Sequence, residues 1–209
     1  MSTDDQELEE LKRWWQENGR TVIAGIVLGL GTVMGWTFWQ NHTNAQAEAV
    51  SVLYERLVDT AAIPAHESAI TQADAIIAQH PDSGYAGLAA LVGAHAAFRH
   101  NDADTAKRML RWAIDNGRAF EVANVARVRL ARVMSQVGEH DAALGELDKV
   151  TGEEFTALVG ETRGDVLVAR GESEAARSAY QSALGDESLP AAARQRIELK
   201  LDVLSTAGG

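Results

Sequence analysis

The 209-residue chain contains no cysteine. It therefore has no disulfide, thiolate nucleophile, iron–sulfur cluster or cysteine-ligated zinc site. Proline is scarce, at 3 residues, and aromatic residues make up only 6%. With abundant alanine, that composition favours helices over a β-sandwich. Positive charge is in deficit, with 19 Lys and Arg against 30 Asp and Glu, a formal charge of −11. A nucleic-acid binder needs cations to displace counterions from phosphates, so no nucleic-acid partner is expected. Catalytic signatures are also lacking. There is no HExxH, GxSxG, phosphate-binding loop or dinucleotide fingerprint. The six histidines miss metal-ligand spacing, and His95 and His100, five apart, do not stack on one helix face. Glu153 and Glu154 follow Gly152 and precede a helix, where carboxylates serve the helix dipole. No catalytic residue, cofactor or metal is assigned, and the chain is read as a non-enzyme.

What is present is unevenly spread. Mean hydropathy is −0.16, yet the 19 residues from Thr21 to Trp39 carry no charge. About 20 apolar residues at ~1.5 Å rise cross the ~30 Å hydrocarbon core, so 21–39 is predicted to be a transmembrane helix. Trp14 and Trp15 flank it on one side and Trp36, Phe38 and Trp39 on the other, as aromatic belts do at the two headgroup levels. Lys12, Arg13 and Arg20 precede the run, and no Lys or Arg follows until Arg56. Basic residues stay inside, so residues 1–20 are predicted to be cytoplasmic and 40–209 translocated, a single-pass type II topology. The competing reading is a cleaved signal peptide, for which Ala45-Gln46-Ala47 offers a cleavage pattern. The apolar run is longer than a signal core, and six acids precede it, so a retained anchor is favoured.

Gly25 and Gly29 form one small-residue pair at i, i+4 and Gly31 and Gly35 a second. Such pairs let membrane helices approach closely, as a self-associating span or against another protein. Leu8, Leu11 and Trp15 give residues 1–20 one apolar edge. That edge suits an interfacial lead-in to the span, or the docking of a cytosolic partner.

Beyond the span, apolar residues recur at helical spacing and turn signals arrive every 15–20 residues or so. Three segments share one template: Ala106 and Leu110; Gly138, Ala143 and Leu147; Gly171, Ala176 and Tyr180. The alanines lie 37 and 33 residues apart, and Ala69 begins a weaker unit 37 residues before Ala106. A period of about 34 predicts stacked helical hairpins resembling the tetratricopeptide repeat. Gly138 and Gly171 should end first helices in the left-handed region. Polar residues after them, Glu139 and Glu172 first, should cap second helices. The alanines should allow close packing. Pro190 to Leu204 (about 190–204) is predicted to be a capping helix with Leu199, Leu201 and Leu204 as its apolar face. Residues from Ala45 to Thr60 read as helix, either continuous with the span or broken across Asn41 to Asn44.

In such a solenoid the first helix of each hairpin lines the concave side. The template places Leu88, Leu91, His95 and Phe98 there from one unit. Val125, Val128, Arg132 and Ser135 come from the next, and Glu161, Asp165 and Val168 from the third. Apolar groups among a few charges suit an extended or helical peptide. The alternative is that the apolar members are inter-repeat core and Arg132 pairs with Asp165.

Taken together, Leu11 to His42, Val128 to Leu144 and Thr162 to Leu184 resemble the YfgM-like family of ancillary SecYEG translocon subunits. That resemblance implies a bacterial inner-membrane protein with a periplasmic tetratricopeptide-like domain, in contact with the SecYEG translocon and a membrane-anchored periplasmic prolyl isomerase chaperone. It further implies a part in handing translocating polypeptides to periplasmic chaperones. The alternative is a structural scaffold for another envelope complex, joined through a self-associating membrane helix.

Overall fold

The computed structural model describes the backbone from Thr3 to Ala207. The side chains of residues 1–11, 21, 22, 24, 26, 27, 38–47 and 207–209 lie outside the described residues. The readings that rest on the side chains of Leu8, Leu11, Phe38, Trp39, Ala45-Gln46-Ala47 and the last three residues fall there, whereas the alternative of a helix break across residues 41–44 is not met, since the helical backbone runs through them. The described residues form α1 (Thr3–Ala61), α2 (His66–Gln79), α3 (Gly84–Arg99), α4 (Ala103–Asn116), α5 (Phe120–Gln136), α6 (His140–Leu147), α7 (Thr156–Arg170), α8 (Ser173–Leu184) and α9 (Ala191–Ala207). A single 3₁₀ turn, Glu153–Phe155, precedes α7, and no strand occurs among the described residues. The chain divides into two compact units, Met1–Ala49 and Val50–Gly209.

In the first unit Ile23, Leu28, Leu30, Val33, Met34 and Trp36 are all exposed. Thr32 and Thr37 turn their hydroxyls back to Leu28 O and Val33 O, at 2.8 and 2.9 Å, so neither is left unsatisfied on this apolar surface. A Cβ at Gly25, Gly29, Gly31 or Gly35 would meet nothing within 4 Å. Among the described residues no helix is long and apolar enough to cross a membrane. Seven side chains of the run 21–39 lie outside that set.

The second unit is a helical-hairpin solenoid of the tetratricopeptide type. Consecutive helices from α2 to α9 touch in turn, and α5 also touches α3 and α7. The first helices of successive hairpins, α3, α5 and α7, thus lie side by side. Burial follows from that arrangement. α4 needs only one apolar stripe, Ala106, Met109, Leu110 and Ala113, at helical spacing. α3 is flanked by neighbours on several sides and is built from small residues, with Ala86, Ala89, Ala90, Ala94, Ala96 and Ala97 all buried. The template alanines Ala69, Ala106, Ala143 and Ala176 are completely buried, and Leu110, Leu147 and Tyr180 fill the next layer.

The hairpin turns are one motif used three times. Gly138 (φ +84°) and Gly171 (φ +86°) are left-handed, as their spacing predicts, and Asn101 (φ +60°) holds the matching position before α4. Each turn closes with a pair of backbone bonds in the same register. Glu172 N donates to Leu167 O and Gly171 N to Val168 O. Glu139 N donates to Met134 O and Gly138 N to Ser135 O. Asp102 N donates to Ala97 O and Asn101 N to Phe98 O. These are Schellman caps, which satisfy carbonyls that the helix end would otherwise leave open.

The side-chain capping predicted for the second helices needs correction. Among the described residues, α4 alone of α4, α6 and α8 has a side-chain cap, Asp102 accepting from Thr105 N at 3.0 Å. Glu139 and Glu172 make no side-chain cap bond. Their longer side chains reach cations instead, Lys107 at 2.9 Å and Arg170 at 2.6 Å.

Side-chain size is matched across each hairpin. Sixteen residues before Leu110 and Leu147 stand buried Ala94 and Ala131, whereas Gly164 stands sixteen before Tyr180. The larger partner takes the smaller seat. α9 follows α8 in the stack, and its apolar face is Ile197, Leu201 and Leu204 rather than the expected set with Leu199. Ile197 is fully buried while Leu199 is 59% exposed. The first three keep 3.6-residue spacing, and Leu199, two residues before Leu201, turns away from it.

Candidate functional site

The predicted groove residues separate into two groups. Leu91 (7% exposed) and Val128 (1%) belong to the core, and Leu88, Phe98 and Val125 are half-buried against it. His95 and Arg132 are exposed between α3 and α5. Half-buried Ser135 lies nearby, with its Oγ 3.3 Å from His140 Nδ1.

On α7 the picture differs. Glu161 is buried and accepts from Arg196 Nε and Nη2, both at 2.7 Å, and from Lys200 Nζ at 2.8 Å. Asp165 accepts from Lys200 at 2.7 Å and from the Tyr180 hydroxyl at 2.7 Å. The structure thus engages Glu161 and Asp165 with α9 and leaves Val168 42% exposed. Arg132 does not pair with Asp165: its Nη2 donates to Thr162 Oγ1 at 2.9 Å.

The open part is a cleft of about 450 Å³ between α3 and α5. Ala94, Phe98, Leu110 and Val133 supply its apolar lining. His95, Arg99, Arg129 and Arg132 surround that lining with nitrogen. Arg99 follows His95 by one helical turn, and Arg129 precedes Arg132 by three residues, so each pair shares a face. Sequence reasoning missed Arg99 and Arg129, although a step of four from His95 or three back from Arg132 reaches them. A smaller cavity of about 280 Å³, lined by Ile63, Pro64 and His66 among others, shares His95 and Arg99.

The electrostatics of the two groups are opposite. Paired hydrogen bonds from Arg196, aided by Lys200, hold the Glu161 carboxyl down to about 2 against the burial that opposes them. Burial, then the bond to Asp165, pushes the Tyr180 phenol up. In the cleft, desolvation first, then Arg129 and Arg99, lowers the His95 imidazole from its ordinary value. Desolvation and the neighbouring Arg132 likewise lower Arg129, even though much of that side chain faces solvent. Among the described residues, no group of three or more His, Asp or Glu could hold a metal ion.

Comparison with known proteins agrees with this architecture. A tetratricopeptide repeat-like domain family matches residues 12–206. A protein of Escherichia coli (strain K12) named ancillary SecYEG translocon subunit is 30% identical over 202 residues, 97% of each chain. Proteins of the same name in Haemophilus influenzae and Neisseria gonorrhoeae are 32% and 30% identical, covering 86% and 96% of this chain and 88% and 97% of theirs. The crystal structure of MamA protein superposes with a TM-score of 0.54 at 20% identity, over 68% of this chain and 74% of that one, a likeness of fold. The tetratricopeptide-like repeats and the near full-length match to three such relatives place this chain in the YfgM-like family.

Proposed function

We propose that the chain is a membrane-anchored accessory subunit of the Sec translocon, a binding protein without enzymatic activity. The observation that carries this reading is the near full-length similarity to proteins named ancillary SecYEG translocon subunit. The uncharged run 21–39 supports a bilayer anchor with the N-terminus in the cytoplasm and the repeats in the periplasm. In this reading Gly25, Gly29, Gly31 and Gly35 pack against a membrane partner, and the cleft beside Leu88, His95, Phe98 and Arg132 receives polypeptide. A membrane-anchored periplasmic prolyl isomerase is a further partner, and exported chains pass from the translocon toward chaperones along this surface.

Photocrosslinking in inner-membrane vesicles tests the reading. A benzoylphenylalanine probe at position 36 is expected to capture a translocon subunit, and one at position 98 an exported chain. Capture of neither would refute it. A second reading, a scaffold joined by a self-associating span, draws on the four glycines, whose Cβ positions are open in the monomer. It requires dimerisation that Gly29→Ile abolishes.

A further inference from the structure

Most Lys and Arg side chains of the repeats meet a carboxylate within 4 Å, including Lys107, Arg108, Arg127, Arg163, Arg196 and Lys200. Arg99, Arg129 and Arg132 make no ion pair among the described residues, and all three line the cleft between α3 and α5. Arg129 Nη1 spends one hydrogen bond on Leu91 O at 3.3 Å, and Arg132 one on Thr162. Among the described residues Arg99 makes no side-chain hydrogen bond to protein. In a chain of net charge −11, acids are abundant enough to neutralise this cluster, yet among the described residues no carboxylate pairs with it. Its rim guanidiniums match carboxylates in shape and charge, and each retains unused donors. Of its apolar lining, Ala94, Leu110 and Val133 are already buried, and half-buried Phe98 is left for an apolar side chain to cover.

We infer that the cleft between α3 and α5 binds an acidic segment of another polypeptide, one in which carboxylate side chains alternate with large apolar ones. The carboxylates would lie against Arg99, Arg129 and Arg132, and an apolar side chain between them would cover Phe98. This gives a ligand chemistry to the polypeptide-receiving cleft proposed above and rests on that reading. His95 stands among the three arginines, with His66 the other titratable neighbour that depresses it. A bound carboxylate would oppose those cations, so ligand binding should raise the His95 pKa.

The test uses the full chain in nanodiscs and a peptide, GSLEFDLSG, labelled at its N-terminus with an uncharged BODIPY dye and amidated at its C-terminus, so that its two acidic side chains are its only carboxylates. Fluorescence anisotropy should show binding that weakens with salt. The GSLQFNLSG peptide should bind roughly tenfold more weakly, the loss expected for a charge-assisted hydrogen bond. Arg99→Gln and Arg132→Gln should each weaken the acidic peptide by a similar factor, while Arg111→Gln, outside the cleft, should not. The His95 ring signals should titrate at higher pH with peptide bound. Equal affinity for the two peptides, or no effect of the cleft variants, would overturn the inference. So would displacement by millimolar inorganic phosphate as efficient as by unlabelled peptide, which would make the cleft a phosphate site. So would absence of peptide binding with a chain dimer that Arg99→Gln dissolves, which would give the cleft to a second copy. Recovery of the translocon with the chain is scored separately. If it persists while peptide selectivity fails, the inference alone falls.

Discussion

The packing of Tyr180 on Gly164 gives the sharpest test of how these repeats hold together. An added Cβ at Gly164 would stand 2.3 Å from Tyr180 Cε1, 2.5 Å from Cδ1 and 2.7 Å from Cζ. The ring cannot easily move aside. It is buried, its hydroxyl is bound to Asp165, and Lys200 Nζ lies 5.8 Å from its centroid. Gly164→Ala gains about 1 kcal/mol of helix propensity. Overpacking a closed site opposes this by some 1–3 kcal/mol or more, and a gap this short favours the upper end. The net expectation is a loss of about 1–2 kcal/mol. In a Tyr180→Leu background the obstacle is gone. The pair then becomes Ala over Leu, as at Ala94 with Leu110 and Ala131 with Leu147. There the same Gly164→Ala change should be neutral or stabilising by up to about 1 kcal/mol. A double-mutant cycle should therefore return a coupling of about 2 kcal/mol. Urea unfolding of the full chain in detergent, followed by circular dichroism, measures all four corners. An equal cost of Gly164→Ala in both backgrounds would refute the size-matching argument.

Two further predictions concern the turns and the cap. Gly171→Ala should lower stability by roughly 1–2 kcal/mol, because a Cβ in the left-handed region is penalised, whereas Asn101→Gly at the matching position should change it by only a few tenths in the same urea assay. Glu161 has a carboxyl held at about 2 against an ordinary 4.5. A depressed folded pKa contributes stability above the unfolded value, and that contribution is lost as pH falls through the folded value. It amounts to about 3 kcal/mol. The gap in urea midpoint between the wild type and Glu161→Gln should therefore close between about pH 4.5 and pH 2. A gap that stays constant across that window would contradict the ion-pair assignment.

Much of the fold was legible in the residues, because each repeat position carries a local physical demand. Ala106, Ala143 and Ala176 sit where two helices touch, and Gly138 and Gly171 sit where the backbone turns left-handed. Asn101 escaped notice because asparagine tolerates the same backbone without being restricted to it. The charged part was less legible. Glu161 and Asp165 lie on the expected helix, but their partners Arg196 and Lys200 are 35 residues further on, and no periodicity announces a pairing across that distance. Leu199 attracted attention by composition although its spacing excludes it from the face of Ile197. The basic cleft was half visible through His95 and Arg132. Its other two arginines come into view once α3 and α5 are set side by side, since the sequence separates Arg99 from Arg129 by a whole helix.

The central claim is association with the Sec translocon, and affinity purification tests it most directly. The chain, tagged at its C-terminus and expressed at its natural level, is extracted from membranes in a mild detergent, and co-purifying proteins are quantified by mass spectrometry. The account predicts strong enrichment of the SecYEG subunits, with a membrane-anchored prolyl isomerase, over an unrelated single-span protein carrying the same tag. Recovery of the intact chain with no translocon enrichment over that control would contradict it.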